Sequence, residues 1–119
     1  MRGRAADRYL YAVQILKERY LCVRSVDLAH YLGSTKASVS AFIRQMREEG
    51  LIEVESDGNL LLTAEGQRRA RQLGERIEFF RRLLTEAGVP SEVALRDAIA
   101  FSWKMSEDSF EAFRTLKKE

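Results

Sequence analysis

Two glycines, Gly33 and Gly50, leave the first half of the chain little choice of fold. Residues 26–32 read as a short helix that Gly33 ends, because a glycine just past the last turn closes a helix in the left-handed conformation without a Cβ penalty. Ser34 or Thr35 can then cap a further helix to about residue 49, with Val39, Phe42, Ile43 and Met46 on one face and Gly50 as its stop. Two helices joined by a tight turn result. Directly after Gly50, Ile52 and Val54 alternate with Glu53 and Glu55, and residues 60–62 follow the turn residues Asp57, Gly58 and Asn59. That pattern predicts a β-hairpin.

The flanking segments are helical. Over residues 5–20, Tyr9, Leu10, Val13, Leu16 and Tyr20 recur at three and four, and Lys17, Glu18 and Arg19 face water. A short β-prone stretch, 22–24, leads to Ser25, which reads as the N-cap of the second helix. Thr63 caps a long helix to about residue 87, in which Ala70, Leu73, Ile77, Phe80 and Leu84 form a seam that wants a partner. Gly88, Val89 and Pro90 break the chain. Ser91 opens a fifth helix with Ala94, Ala98, Phe101 and Met105 on one face, and Ser106 begins a sixth carrying Phe110, Phe113 and Leu116. The predicted fold is mainly α: a winged helix-turn-helix with a short β-hairpin wing and an all-helical C-terminal region. Residues 1–74 are the expected winged helix-turn-helix domain and 75–119 the helical region, with the long helix shared across the boundary.

Composition narrows the function. At 119 residues, 45% hydrophobic and with one Pro, the chain has the makings of a single folded domain. No apolar run approaches the roughly 20 residues needed to span a bilayer, and Arg2, Arg4 and Arg8 are not followed by a signal-peptide core, so a cytoplasmic protein without membrane association is expected. One Cys, Cys22, and one His, His30, can build neither an internal disulfide nor a Cys/His zinc site. The same scarcity rules out a Ser/His/Asp or Cys/His catalytic arrangement. Glu75 with Glu78, and Glu107 with Asp108, read as solvated helix residues, and Gly66 and Gly74 do not make a phosphate loop. Neither an enzyme nor a cofactor is expected.

Double-stranded DNA is the expected partner. The net charge is only +2, but residues 1–74 carry 12 basic against 9 acidic side chains while the rest carry 8 against 9. The basic bias therefore falls on the half with the helix-turn-helix. With Val39, Ile43 and Met46 buried, the third helix presents Ala37, Ser40, Ala41 and Arg44, flanked by Lys36, Ser38 and Arg47. Small residues permit close approach to base edges, and Arg44 has the fork geometry to bond a guanine bidentately. Thr35, Lys36 and Ser38 suit phosphate contacts at the helix start, and Arg47 suits either a phosphate or a surface pair with Glu48 or Glu49. The hairpin tip is not basic, so at most its backbone or Asn59 is expected to touch phosphate or the minor groove.

These residues carry a family resemblance. Ser25-Val-Asp-Leu-Ala-His-Tyr-Leu-Gly33, Ser38-Val-Ser, Met46-Arg-Glu-Glu-Gly50-Leu-Ile and Leu62-Thr-Ala-Glu-Gly66 are similar to the metal-dependent repressors of the diphtheria toxin repressor and manganese transport regulator class. The hairpin-flanking motifs also resemble MarR-type regulators. The Tyr9-Leu10 start and the long helix ending at Gly88-Val89 resemble the compact two-domain members of the class. The resemblance implies that residues 1–74 are a DNA-binding domain and 75–119 a helical dimerisation region, so that a homodimer built from the C-terminal helices offers a recognition helix to each half of a palindromic operator. The apolar excess of the last helices agrees with that implication.

In that family, acids on the first helix, a His on the long helix and a Glu/Cys, Glu, His set on the fifth hold iron or manganese. By alignment those positions are Arg8, Tyr11, Ile77, Ile99, Ser102 and Trp103, which offer neither carboxylate nor imidazole. The expectation is a repressor that no longer needs metal, with Tyr11, Ile77, Ile99 and Trp103 converging as an apolar cluster or opening as a pocket for an unknown small molecule. The alternatives are a metal-responsive repressor with a relocated site at Asp7, Glu75 or Glu78, and a winged-helix protein-interaction module that does not bind DNA.

Overall fold

A computed structural model of the chain describes residues 2–118, with side chains from residue 5 onward, so the side chains of Arg2 and Arg4 lie outside the described residues. The elements run α1 (Arg2–Arg19), α2 (Ser25–Leu32), α3 (Lys36–Glu48), β1 (Ile52–Val54), β2 (Leu60–Leu62), α4 (Ala64–Glu86), α5 (Ser91–Ser102) and α6 (Glu107–Lys118). The chain forms two compact units, Met1–Gln72 and Leu73–Glu119. The fold is a winged helix followed by a helical C-terminal region.

In the first unit, α1 packs against α2, α3 and β2 around Leu10, Val13, Val23, Leu28, Val39, Met46, Leu51 and Leu60, all essentially without solvent exposure. The apolar stripes at spacings of three and four are what α1 and α3 bury, and the Tyr9 and Phe42 rings stack with centroids 4.2 Å apart. Gly33 ends α2 at φ 66° and lets Ser34 N–H reach Ala29 O at 3.0 Å, as its position in the sequence requires. Thr35 Oγ1 caps α3 by accepting Ser38 N–H at 3.1 Å. At the start of α2 the expected cap is corrected. Ser25 is already the first helical residue, Arg24 holds the N-cap position, and the Asp27 carboxylate accepts the Arg24 N–H at 2.9 Å. An acid three residues into the helix does the job from the other side.

β1 and β2 pair antiparallel, Ile52 opposite Leu62 and Val54 opposite Leu60. The 22–24 stretch forms no strand of its own, yet Val23 O accepts Leu60 N–H at 2.8 Å and so borders β2. Thr63 caps α4, its Oγ1 accepting Gly66 N–H at 3.1 Å and donating to Gly50 O at 2.7 Å.

The second unit is held by aromatic packing. Leu73, Ile77 and Phe80 are buried on α4, and the Phe80 ring contacts those of Phe79, Phe101, Phe110 and Phe113. Ala94 and Ala98 are the buried face of α5. Arg76 is buried beside them and donates to Ser102 O, Met105 O and Glu107 Oε1 at 3.2, 2.6 and 2.6 Å, pinning the turn between α5 and α6. Ser106 Oγ caps α6 by accepting Ser109 N–H at 3.1 Å. Among the described residues no helix is long and apolar enough to cross a membrane.

Candidate nucleic-acid interface

The solvent side of α3 is set by what its other side must bury. Because Val39, Ile43 and Met46 enter the core, Lys36, Ala37, Ser38, Ser40, Ala41, Arg44 and Arg47 are left exposed. Thr35 is also exposed, but its hydroxyl serves the helix, accepting Ser38 N–H and donating to Ser38 Oγ at 3.0 Å. Among the described residues no ion pair engages Lys36, Arg44 or Arg47, and the pair weighed for Arg47 with Glu48 or Glu49 is not formed. Glu49 instead accepts Gln45 Nε2 at 3.1 Å.

Several arginines elsewhere differ from these in chemistry. Arg68 pairs with Glu65, Arg69 with Asp7, Arg76 with Glu107, Arg81 and Arg82 with Glu78, and Arg114 with Glu111. Those guanidinium charges are neutralised within the chain. The cations of α3 remain free to meet an external anion.

Ser40, Arg44 and Arg47 share one edge of α3, the edge facing the hairpin. They line a groove of about 260 Å³ together with Ser25, Ile43, Val54, Gly58 and Leu60. Sequence reasoning missed the residue at the rim of that groove. Arg24 Nε donates to Asp57 O in the hairpin turn at 2.8 Å, and the Arg24 side chain lies 3.5 Å from where a Cβ on Gly58 would stand. The one available signal was its position, a basic residue immediately before a helix start.

Asn59 requires a correction as a DNA-contacting residue. Its side chain is 8% exposed and committed inward: Oδ1 accepts Val23 N–H at 2.9 Å and Lys17 Nζ at 3.0 Å, while Nδ2 donates to Glu55 Oε1 at 2.8 Å. A buried backbone N–H needs a partner, and the amide supplies it. The same network disposes of two acids in the turn, because Glu55 serves Asn59 Nδ2 and Asp57 Oδ1 accepts Asn59 N–H at 2.9 Å.

At the positions aligned with the family's metal ligands, Arg8 and Tyr11 belong to the first unit and Ile77, Ile99, Ser102 and Trp103 to the second. Ile77 is 2% exposed, and Ser102 Oγ is buried without a hydrogen-bond partner among the described residues. A single hydroxyl, two aliphatic chains, an indole, a phenol and a guanidinium do not suit a hard divalent ion. Of the acids weighed for a relocated site, Asp7 accepts Arg69 Nε at 2.7 Å, and the hydrogen bond from Arg81, with Arg82 adding to it, holds the Glu78 carboxyl down to about 2. Glu75 is exposed. Among the described residues no three His, Cys, Asp or Glu side chains gather as a metal site would need.

Comparison with known proteins agrees with this architecture. Residues 8–67 match the Crp-like helix-turn-helix domain. The transcriptional regulator MntR of Escherichia coli O6:H1 is 32% identical over 113 residues, covering 95% of this chain and 73% of that protein. Among solved structures, IdeR of T. acidophilum superposes with a TM-score of 0.81 at 23% identity, over 94% of this chain and 52% of its own. A manganese-dependent transcriptional repressor in complex with manganese superposes at 0.80 and 24% identity, over 90% of this chain and 50% of its own.

Proposed function

Because the chain belongs to the MntR family of transcriptional regulators, and so is a DNA-binding regulator and not an enzyme, we propose that it represses transcription as a homodimer on a palindromic operator without needing iron or manganese. The observation that carries metal independence is the donor chemistry: the six aligned ligand positions hold Arg8, Tyr11, Ile77, Ile99, Ser102 and Trp103. Two of the three acids that could replace them are spoken for, Asp7 by Arg69 and Glu78 by Arg81 and Arg82, which leaves Glu75 as one carboxylate where an ion needs several ligands. A carboxylate held by a guanidinium must lose that partner before it can bind an ion, which weighs against a relocated site.

Dimerisation is supported by apolar side chains left in solvent on the last two helices, Leu95 at 41%, Phe113 at 43% and Leu116 at 68% exposure. A twofold dimer would present two copies of α3 to two half-sites about one helical turn apart, the geometry that makes an operator palindromic. Repression follows by occlusion of the promoter that such a dimer covers. The free cations of α3 favour this reading over a protein-interaction module.

The test begins with selection of preferred duplexes from a random pool, followed by affinity measurements in manganese(II), in iron(II) and in chelator. Equal affinity in all three, within about threefold, is expected. A gain of about tenfold or more with either metal overturns metal independence, and absence of any selected sequence overturns the operator.

A further inference from the structure

The groove between α3 and the hairpin brings together groups that neither the helix-turn-helix motif nor the fold assigns to one task. Arg47 and Arg44 approach it from α3, Ser40 and Ser25 contribute hydroxyls, and Gly58 forms its hairpin side. Arg24 stands at the rim, locked by its Nε–H to Asp57 O at 2.8 Å. That bond uses one of the five guanidinium donors and fixes the plane, leaving both Nη groups to a ligand.

We infer that this groove seats a backbone phosphodiester of duplex DNA, held between Arg24 and Arg47, with Arg24 also bracing the hairpin turn. The inference rests on the DNA-binding reading and adds the backbone contact that sets the hairpin against the duplex. Three features single out a phosphate. Among the described residues the side chains of Arg24, Arg44 and Arg47 pair with no carboxylate, so their charge is available to an outside anion. The nearby acids of the turn are occupied, Glu55 with Asn59 Nδ2 and Asp57 Oδ1 with Asn59 N–H, while Glu53 is exposed between the inward Ile52 and Val54. Finally, planar guanidinium groups beside two hydroxyls match the charge and acceptor geometry of a phosphodiester, whose oxygens accept several bonds at once.

The side chain of Arg24 therefore explains how a hairpin without a basic tip can contribute to DNA binding. Its turn supplies a carbonyl, Asp57 O, which aims a cation borrowed from the start of α2. Gly58 turns the hairpin at φ 90°, a left-handed conformation that favours glycine, and the Arg24 side chain lies over it.

The experiment measures binding to a duplex of arbitrary sequence as salt is raised, since a phosphate contact acts on any sequence. Arg24→Gln is expected to weaken binding roughly tenfold at low salt and to lower the slope of log affinity against log salt by about 1. Arg24→Lys, which keeps the charge, is expected to retain the slope. Arg47→Gln is the control for folding, because the Arg47 side chain bonds to nothing among the described residues, and it should lower the slope by a similar amount. A wild-type slope in both Gln variants overturns the seat. Loss confined to one sequence assigns the groove to base reading and overturns it equally. If the wild-type protein shows no salt-dependent binding to any duplex, the DNA-binding reading has failed, a result distinct from an unchanged slope in variants of a protein that binds.

Discussion

The side-chain oxygen of Asn59 accepts the backbone N–H of Val23 at 2.9 Å, joining the hairpin turn to the segment that enters α2. Lys17 Nζ reaches the same oxygen at 3.0 Å and also donates to Leu21 O, so one amide ties the turn to the end of α1 as well. Asn59→Ala strands a buried N–H and is expected to cost about 1–3 kcal/mol, read from urea unfolding. Its effect on DNA should come through hairpin position alone. Affinity falls while the salt slope stays at the wild-type value, which separates Asn59 from Arg24.

That residue also marks where the sequence ceased to be legible. Gly33, Gly50 and Thr63 could be assigned in advance because each answers a local demand, a left-handed helix end or an orphan N–H at a helix start. The six helices and the hairpin followed from such signals and from the apolar spacing. Asn59 looked like an exposed turn residue because its partner Val23 lies 36 positions away, and no local rule connects them. Arg24 was missed for the same reason, its partner Asp57 being 33 positions distant. The α3 face was legible because the buried stripe of Val39, Ile43 and Met46 dictates what remains outside.

Gly66 is indispensable on steric grounds. A Cβ at this position would stand 2.1 Å from Leu51 O, a backbone atom that also accepts Thr63 N–H at 3.1 Å and so cannot yield easily. Helix propensity favours alanine here by about 1 kcal/mol, yet the overlap outweighs it. Gly66→Ala is expected to destabilise by about 2 kcal/mol or more, seen as a lower midpoint in chemical denaturation.

Glu78 gives the second unit a pH dependence. Hydrogen bonding to Arg81, with Arg82 adding to it, lowers its folded pKa from 4.5 to about 2, so the native state holds the carboxylate charged where an unfolded chain would protonate it. The stabilisation is complete above about pH 4.5 and fades as the pH falls towards 2. Solvent screening keeps it small, because 46% of the Glu78 side chain is exposed. Glu78→Gln should lower the melting temperature at pH 7 and make no difference near pH 2. An equal deficit at both would assign the loss to packing.

Arg44 and Lys36 divide the two kinds of readout along α3. Both are exposed and, among the described residues, without an ion pair, but Lys36 opens the helix while Arg44 lies two turns further along, on the edge it shares with Ser40. A guanidinium can bond a guanine edge with two parallel N–H donors, whereas an ammonium at the helix start meets phosphate as a point charge. Arg44→Ala is therefore expected to lose about 1–3 kcal/mol of discrimination at one position of each half-site and to relax the sequence recovered from a random pool there. Lys36→Ala should weaken all sequences alike and reduce the salt slope by about 1. Arg44→Ala recovering the wild-type sequence with the same stringency would remove Arg44 from base recognition. Base reading would then fall to the small side chains of α3, Ala37, Ser40 and Ala41.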